Sequence, residues 1–302
     1  GVTSDGGLTF NWQEITPNST VDNLRPYVPR HLGGEPCVLW FRGAYYSYTS
    51  FNTEIVGLFT TKIPQTNAES GIWTVDADGV WKNPTNWLNG VVAIGPGNTA
   101  DFGTLDITAN RTVTLNASRT IGALRFGDVS GNQNWTLASS NGSVLTLASG
   151  LPSIFVNQNL ATLSVSLAGA DGLTKSGPGT LVLAASNSLS GTLNLDTGST
   201  SASDGAVRVT SSAALANINS PIYFRNNTGS DAVGSLQLDG SLGDITVTQN
   251  FATSCRNNDT TPTFESLAGT NTLAGTNFVQ VGGTNVIYQA DSGSLLLVAA
   301  PI

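Results

Sequence analysis

The sequence predicts an all-β chain, a right-handed parallel β-helix (solenoid) with an N-terminal antiparallel β segment. Three observations carry this expectation. Within Gly172 to Val209 the pattern Gly-x-apolar-x-apolar occurs three times, as Gly179-Thr-Leu181-Val-Leu183, Gly191-Thr-Leu193-Asn-Leu195 and Gly205-Ala-Val207-Arg-Val209. Each copy is a turn residue followed by a strand of period two with one apolar face. So short a strand holds only when a similar strand stacks above and below it. Charged residues make up only 11% of the 302, against roughly 25% in an ordinary globular domain, with Gly, Ser, Thr and Asn filling the difference. Related copies start at Gly103 (GTLDI), Gly122 (GALRF), Gly142 (GSVLTL, one residue inserted), Gly234 (GSLQL) and Gly293 (GSLLL). The first intervals, 19 and 20 residues, suit one coil of a parallel β-helix. The intervals of 12 and 14 after Gly179 fit successive strands within a coil. At about 4.8 Å per coil, the region gives roughly ten coils and a rod of about 50 Å.

Taken in order, residues 1–63 differ from the rest. They hold ten aromatic residues that include Tyr27, Trp40, Phe41, Tyr45, Tyr48 and Phe51, together with Arg25, Arg30, Arg42 and Lys62. The opening Thr3-Ser4-Asp5-Gly6-Gly7-Leu8-Thr9-Phe10 has the chemistry of a tight turn. Asp5 accepts backbone N–H bonds, Gly7 supplies a positive φ, and Phe10 packs beneath. This stretch resembles the Asp-box of sialidase-like β-propellers, and NLRPYVPR with PCVLWFRGAYYSYTSFNTEIVGLF resembles their closing blade. The resemblance implies that Arg25, Tyr27, Arg30, Arg42 and Tyr45 are the residue types that bind anionic sugars there. One blade cannot close a propeller, which needs about four to eight. No carboxylate pair is evident among Asp5, Asp22, Glu35 and Glu54, so catalysis by this chain is not expected.

Residues 64–97 read as a linker, PQTNAESG, followed by a Trp-rich cap. Trp73, Trp81 and Trp87 are separated by turn residues. Either they cover the open end of a solenoid core, or they form an aromatic platform for sugar rings. Asp76 and Asp78 make a weak calcium motif, since no acidic residue stands twelve positions on.

Residues 98–302 are the expected repeat region. GLTKSGPGTLVLAASNSLSGTLNLDTGS resembles the autotransporter-associated β-strand repeat, GL-x-K-x-G-x-G-T-L-x-L-x-G-x-N-x-Y-x-G, with Ala185 in place of a Gly and Leu189 in place of the aromatic. The resemblance implies a solenoid in a bacterial secreted or surface protein, and no particular chemistry. The end, Gly293 to Ile302, resembles the stretch before the sorting tail of PEP-CTERM proteins. That tail is missing here, and the chain starts with Gly and has no Met, so a processed or partial chain is expected.

Composition narrows the partners. A net charge of −8 with no basic run makes nucleic acid an unexpected partner. No apolar stretch approaches the roughly 20 residues of a membrane span. Cys37 and Cys255 are too few for a metal or disulfide framework, although they can pair if the N-terminal segment folds back. A single His, His31, leaves no zinc site and no His-based triad. No metal or other cofactor is expected. Asn residues, abundant in turns and at sequons such as Asn110 and Asn134, are expected to stack as amide ladders from coil to coil. Turn acids such as Asp171, Asp196, Asp204, Asp239, Asp244 and Asp291 are expected to be solvated rather than to hold calcium.

The sequence therefore points to an extracellular or bacterial cell-surface structural protein, a stalk, matrix or fibre subunit. Low charge leaves its sheet edges unguarded, so it is expected to self-associate as a homo-oligomer or filament, with polysaccharide a further partner. The alternatives are the C-terminal portion of a secreted sialidase-like polysaccharide-degrading enzyme, or a carbohydrate-binding module using Trp73, Trp81, Trp87, Arg25, Tyr27 and Arg42.

Overall fold

A computed structural model describes residues 16, 18–27, 37–59, 69–196, 205–225, 234–253, 261–280 and 286–299. The chain divides into two compact units, Gly1–Thr66 and Asn67–Ile302. The segment expected as linker and cap is thus largely part of the second unit. Its strand Gly71–Ile72 pairs with Gly95–Phe102, and Gly79–Val80 pairs with Arg111–Leu115. Among the described residues no helix is long and apolar enough to cross a membrane.

The first unit contains a three-stranded antiparallel sheet, in the order Asp22–Tyr27, Cys37–Ser47, Ser50–Phe59. The last two strands form a long hairpin, since Val38↔Leu58 through Tyr45↔Phe51 pair in continuous register. The first strand is irregular. Its register slips between Leu24 and Tyr27, where Arg25 adopts φ +49° and Pro26 follows. A bulge and a proline are devices that end pairing at an edge.

The second unit is a parallel β-solenoid with three strand-bearing faces per coil. The first face stacks nine strands: Gly79–Val80, Arg111–Leu115, Trp135–Ser139, Leu160–Leu163, Thr180–Leu183, Ala206–Val209, Ser235–Asp239, Phe264–Ala268 and Tyr288–Ala290. The third face runs from Gly71–Ile72 through Gly95–Phe102, the second half of Arg119–Phe126, Ser153–Val156, Leu173–Ser176, Thr192–Asp196, Asn219–Arg225 and Phe251–Thr253 to Phe278–Gln280. The second face uses the first half of Arg119–Phe126, then Val144–Leu147, Ser166–Gly169 and Ser188–Leu189. A single 3-10 turn, Ser212–Ala214, interrupts it. The N–H of Asn187 donates to the Ala213 carbonyl (3.2 Å) and that of Thr246 to Ser212 Oγ (2.9 Å). The face then resumes with Thr246–Val247, Thr270–Leu273 and Leu295–Val298.

Period two along each strand becomes a ladder along the stack, because parallel in-register pairing puts like positions above one another. On the first face, Leu137, Leu163, Leu183, Val209 and Leu238 align, as do Leu181, Val207, Leu236 and Phe264. Leu181, Leu193 and Val207 are completely buried. As expected, Gly179 and Gly191 lead successive strands within one coil, but Gly205 opens the next coil: Leu181 stacks on Val207, and Leu193 stacks on Leu173 of the coil before.

Three expectations from the spacing are corrected. From Trp135 the first-face partners Ala161, Leu181, Val207, Leu236, Phe264 and Tyr288 follow at 26, 20, 26, 29, 28 and 24 residues, so most coils exceed 20. The turns between strands vary in length while the strands stay short. Nine rungs then rise about 40 Å. The copy at Gly103 is no strand; residues 103–110 form bends and irregular backbone. In the copy at Gly293 the alternation is shifted. Leu296 and Val298 pair with the inward Asn271 and Leu273, which leaves Leu295 and Leu297 on the outside at 48% and 44% exposure.

Candidate functional site

Side chains with chemical potential fall in four places. The first is the N-terminal sheet, where Leu24, Arg25, Phe41, Tyr45, Tyr48, Phe51 and Thr53 line a pocket of about 300 Å³. Antiparallel register builds it: Leu24 lies opposite Phe41, and Tyr45 opposite Phe51. The Tyr45 and Phe51 rings stack at 6.5 Å and 18°. The N–H of Tyr45 donates to Asp22 Oδ2 (3.1 Å), which holds the turn end of the hairpin to the first strand. The bulge at Arg25 brings a guanidinium to a surface that otherwise carries rings. Tyr48 and Phe51 remain 83% and 59% exposed, so ring faces and a cation are offered together to solvent. Such a surface suits stacking on a flat ligand with a negative group. Of the other residues named for sugar binding, Arg42 lies opposite Glu54, on the face away from Phe41, because neighbours in a strand point oppositely. Tyr27 pairs with Leu39, beyond the bulge. The fold therefore groups Arg25 with Tyr45 and separates both from Arg42. The Asp-box residues 3–10, Arg30, and the side chains of Cys37 and Cys255 lie outside the described residues, and so does any bond between the two cysteines.

The second place is the tryptophan cluster. Trp73, Trp81 and Trp87 are buried, at 0%, 0% and 2% exposure. They pack on one another and on Phe102, with centroids 5.3–5.8 Å apart. Each indole N–H has an internal acceptor: Trp73 Nε1 donates to the Val75 carbonyl, Trp81 Nε1 to Ala93 and Trp87 Nε1 to Trp81, at 2.8, 3.0 and 2.7 Å. Rings so enclosed present no face to a sugar, which corrects the platform expectation for these three residues. They fill the first coil instead. Spacing alone did not decide this, because turn-separated tryptophans suit both arrangements.

The third place is the turns, where acids and amides serve the backbone. Asp76 accepts from the N–H of Thr108 and from Arg111 Nε (2.7 Å), and Asp78 accepts from the N–H of Thr112 (2.7 Å). Arg111 beside it lowers the Asp76 carboxyl to about 2. Asp171 and Asp244 likewise accept from Gly150 and Thr270 of adjacent coils. Among the described residues no group of three or more His, Cys, Asp or Glu is placed to hold a metal ion. The amide ladder is also corrected. Asn110 Oδ1 accepts from the N–H of Asn134, and Asn134 Oδ1 from that of Leu160. The bonds run from amide to backbone, since turn N–H groups left over by the sheets need acceptors.

The fourth place is the middle of the repeat, and here the residue-by-residue reading missed two side chains. Lys175 stands in register with Ile154 and Leu195, only 2% exposed, with Nζ donating to the Gly177 carbonyl (2.8 Å). Burial pushes its amine down to about 7. Gly177 and Gly205 make room: a Cβ on Gly177 (φ +81°) would lie 2.4 Å from the Val156 carbonyl oxygen, and one on Gly205 would lie 2.5 Å from Lys175 Nζ. Asn187, also buried, accepts from the N–H of Leu167 (2.8 Å) and donates to the Ala214 carbonyl (3.0 Å). It thereby ties the coils before and after its own. Both are polar letters of the repeat pattern, and their roles here are structural. Alternation from Leu173 already places Lys175 inward; that was the available signal.

An all-β, three-faced parallel stack with an interior of aligned aliphatic and aromatic side chains defines the class of the second unit, a β-solenoid. The chain is similar to part of the adhesin BmaC autotransporter of Brucella suis biovar 1 (strain 1330), with 34% identity over 170 residues. The match covers 56% of this chain and 4% of that protein. No protein-family model matches the chain, and no solved structure does. None of these comparisons supports the likeness of residues 1–63 to a sialidase-like propeller.

Proposed function

We propose that this chain is an extracellular structural protein of a bacterial surface, a β-solenoid stalk, matrix or fibre subunit that associates with itself. The observation that carries this reading is the continuous parallel pairing of the first face over nine strands. Each coil is stable only through its neighbours, and the product is a stiff spacer. Similarity to part of an autotransporter adhesin supports a surface location. In sedimentation velocity, the purified chain should show oligomers that grow with concentration. A single monomer species up to millimolar chain would remove self-association from the reading. A compact particle of low axial ratio by small-angle scattering would remove the stalk.

A second reading, binding of acidic polysaccharide at the N-terminal sheet, is favoured by one observation: Arg25 beside the exposed rings of Tyr48 and Phe51. Retention on an immobilised uronic-acid polymer should fall at least about tenfold in Arg25→Ala and in Tyr48→Ala, since a stacked ring contributes about 1–3 kcal/mol. Equal retention of both variants and the parent chain would exclude this site.

A further inference from the structure

We propose that the solenoid carries a built-in joint, one junction between two coils at which the stack opens before the blocks on its two sides unfold. The lower coil of this junction is made of Thr180–Leu183, Ser188–Leu189 and Thr192–Asp196. The upper coil is made of Ala206–Val209, the turn Ser212–Ala214 and Asn219–Arg225. The inference is independent of self-association and concerns how the stack yields.

Irregularities of all three faces coincide here. On the second face the strands taper toward the junction. Val144–Leu147 and Ser166–Gly169 have four residues each, Ser188–Leu189 has two, and the 3-10 turn takes the next position. Above it Thr246–Val247 has two residues and Thr270–Leu273 again has four. On the third face the register slips. Thr192 pairs with Asn219 and Asn194 with Tyr223, so two steps along one strand meet four along the other. Pro221 lies within the slip and has no N–H to give to a ladder.

The first face stays in register from Thr180↔Ala206 to Leu183↔Val209, but the bonds at both ends of this pair are long. The N–H of Ala206 to the Gly179 carbonyl and that of Thr210 to the Leu183 carbonyl both span 3.4 Å. One coil below, Thr180 to Asn159 and Ala184 to Leu163 span 2.8 and 3.0 Å, and one coil above, Ser235 to Gly205 spans 3.0 Å.

On the second face a buried side chain takes over what strand pairing does elsewhere. The N–H of Asn187 donates to the Ala213 carbonyl (3.2 Å) and its Nδ2 to that of Ala214 (3.0 Å), while Asn217 Nδ2 donates to the Asn187 carbonyl (2.7 Å). Asn187 Oδ1 holds the N–H of Leu167 in the block below (2.8 Å). The interiors on the two sides also differ. Leu181, Leu183, Leu189 and Leu195 fill the coil below, whereas Phe224, Phe251 and Phe264 cluster above, with centroids 4.8–6.3 Å apart. In a stack held by nearest-neighbour contacts, one weak interface divides it into two cooperative blocks. Each block keeps its own packed interior when the junction opens.

Native-state hydrogen exchange of the full chain, read by mass spectrometry with fragmentation as denaturant is raised, tests the joint. The amides of Ala206, Thr210 and Asn219 should exchange at least about tenfold faster than those of Thr180 and Ala184 below and Ser235 above. The two blocks should lose protection in separate steps. Asn187→Ala removes the side-chain clasp and should speed the junction amides roughly tenfold further, while Ala148 and Leu236, inside the two blocks, keep their protection. Asn134→Ala removes a comparable acceptor, that of the Leu160 N–H, and should leave the junction unchanged. Asn217→Ala deletes one bond of the clasp and serves if Asn187→Ala does not fold. Junction amides as slow as their neighbours, or one common step for all slow amides, would overturn the joint and leave the stalk reading standing. So would a folded Asn187→Ala or Asn217→Ala chain whose junction exchanges no faster than in the parent.

Discussion

The first and last described coils of the solenoid are filled differently. A stack of coils has an apolar interior that must not open to water at either end. At the N-terminal end three tryptophans and Phe102 close the interior with large rings, and every indole N–H finds a carbonyl. In the last described coil Tyr288 has an unpartnered hydroxyl, and the last described strand exposes Leu295, Leu297 and Val298. Between them, Leu137, Leu163, Leu183 and Val209 repeat almost without variation, because each has an aliphatic residue on both sides. The first coil is thus filled by tryptophans, which the repeat itself does not contain.

The contrast can be broken most forcefully at the closed end. Trp81→Ala should cost about 3–5 kcal/mol of stability, as expected for loss of a fully buried tryptophan, read as the free energy of denaturant unfolding. A loss under about 1 kcal/mol would mean that the rings are not what closes this end.

The next effect belongs to the middle, where a side chain has coils above and below. Lys175 has its amine pushed down by burial from 10.5 to about 7. In the unfolded chain the amine keeps its ordinary value and holds its proton up to about pH 10. Between these limits the unfolded state binds more protons, so stability rises with pH from about 7 to about 10. Lys175→Met should add about 2–4 kcal/mol at pH 7 and flatten that rise. The check is a pair of melting series from pH 6 to 10. Parallel curves for the two proteins would show that the amine carries its charge in the fold.

Smaller again is the effect in the last described coil. Tyr288→Phe removes a hydroxyl that has no partner in the single chain, so the dilute monomer should be unchanged or up to about 1 kcal/mol more stable. Destabilisation in the monomer would mean that the hydroxyl is already satisfied and the first and last described coils are more alike. The smallest effect is expected at the half-buried tie between Asp76 and Arg111. The carboxyl is held at about 2, against 3.8 unperturbed. The stability it contributes is therefore present above about pH 4 and is lost as pH falls toward 2. Asp76→Asn should unfold with a shallower acid limb than the parent chain.

Much of this architecture was legible in the primary structure. Gly179-Thr-Leu181-Val-Leu183 and its two relatives announce period-two strands that need neighbours, and Leu181, Leu193 and Val207 are inward. Residues beside turns were harder to place. Leu295 reads as inward by its distance from Gly293, but one extra turn residue rotates the whole strand, and register over Thr270–Leu273 decides the outcome. Trp73 was equally ambiguous, because a ring is apolar enough for a core and flat enough for a sugar. Arg25 was noticed for its type, but its position beside Tyr45 depends on a bulge that no local pattern specifies.

Sequence alone determined that this chain forms short parallel strands wound into coils, because period two and recurrent turn residues are local properties. Tertiary structure alone decided which rings are hidden and which leucines meet water. Those depend on what lies one coil above or below, some 20 to 30 residues away along the chain, a distance set by turns of variable length.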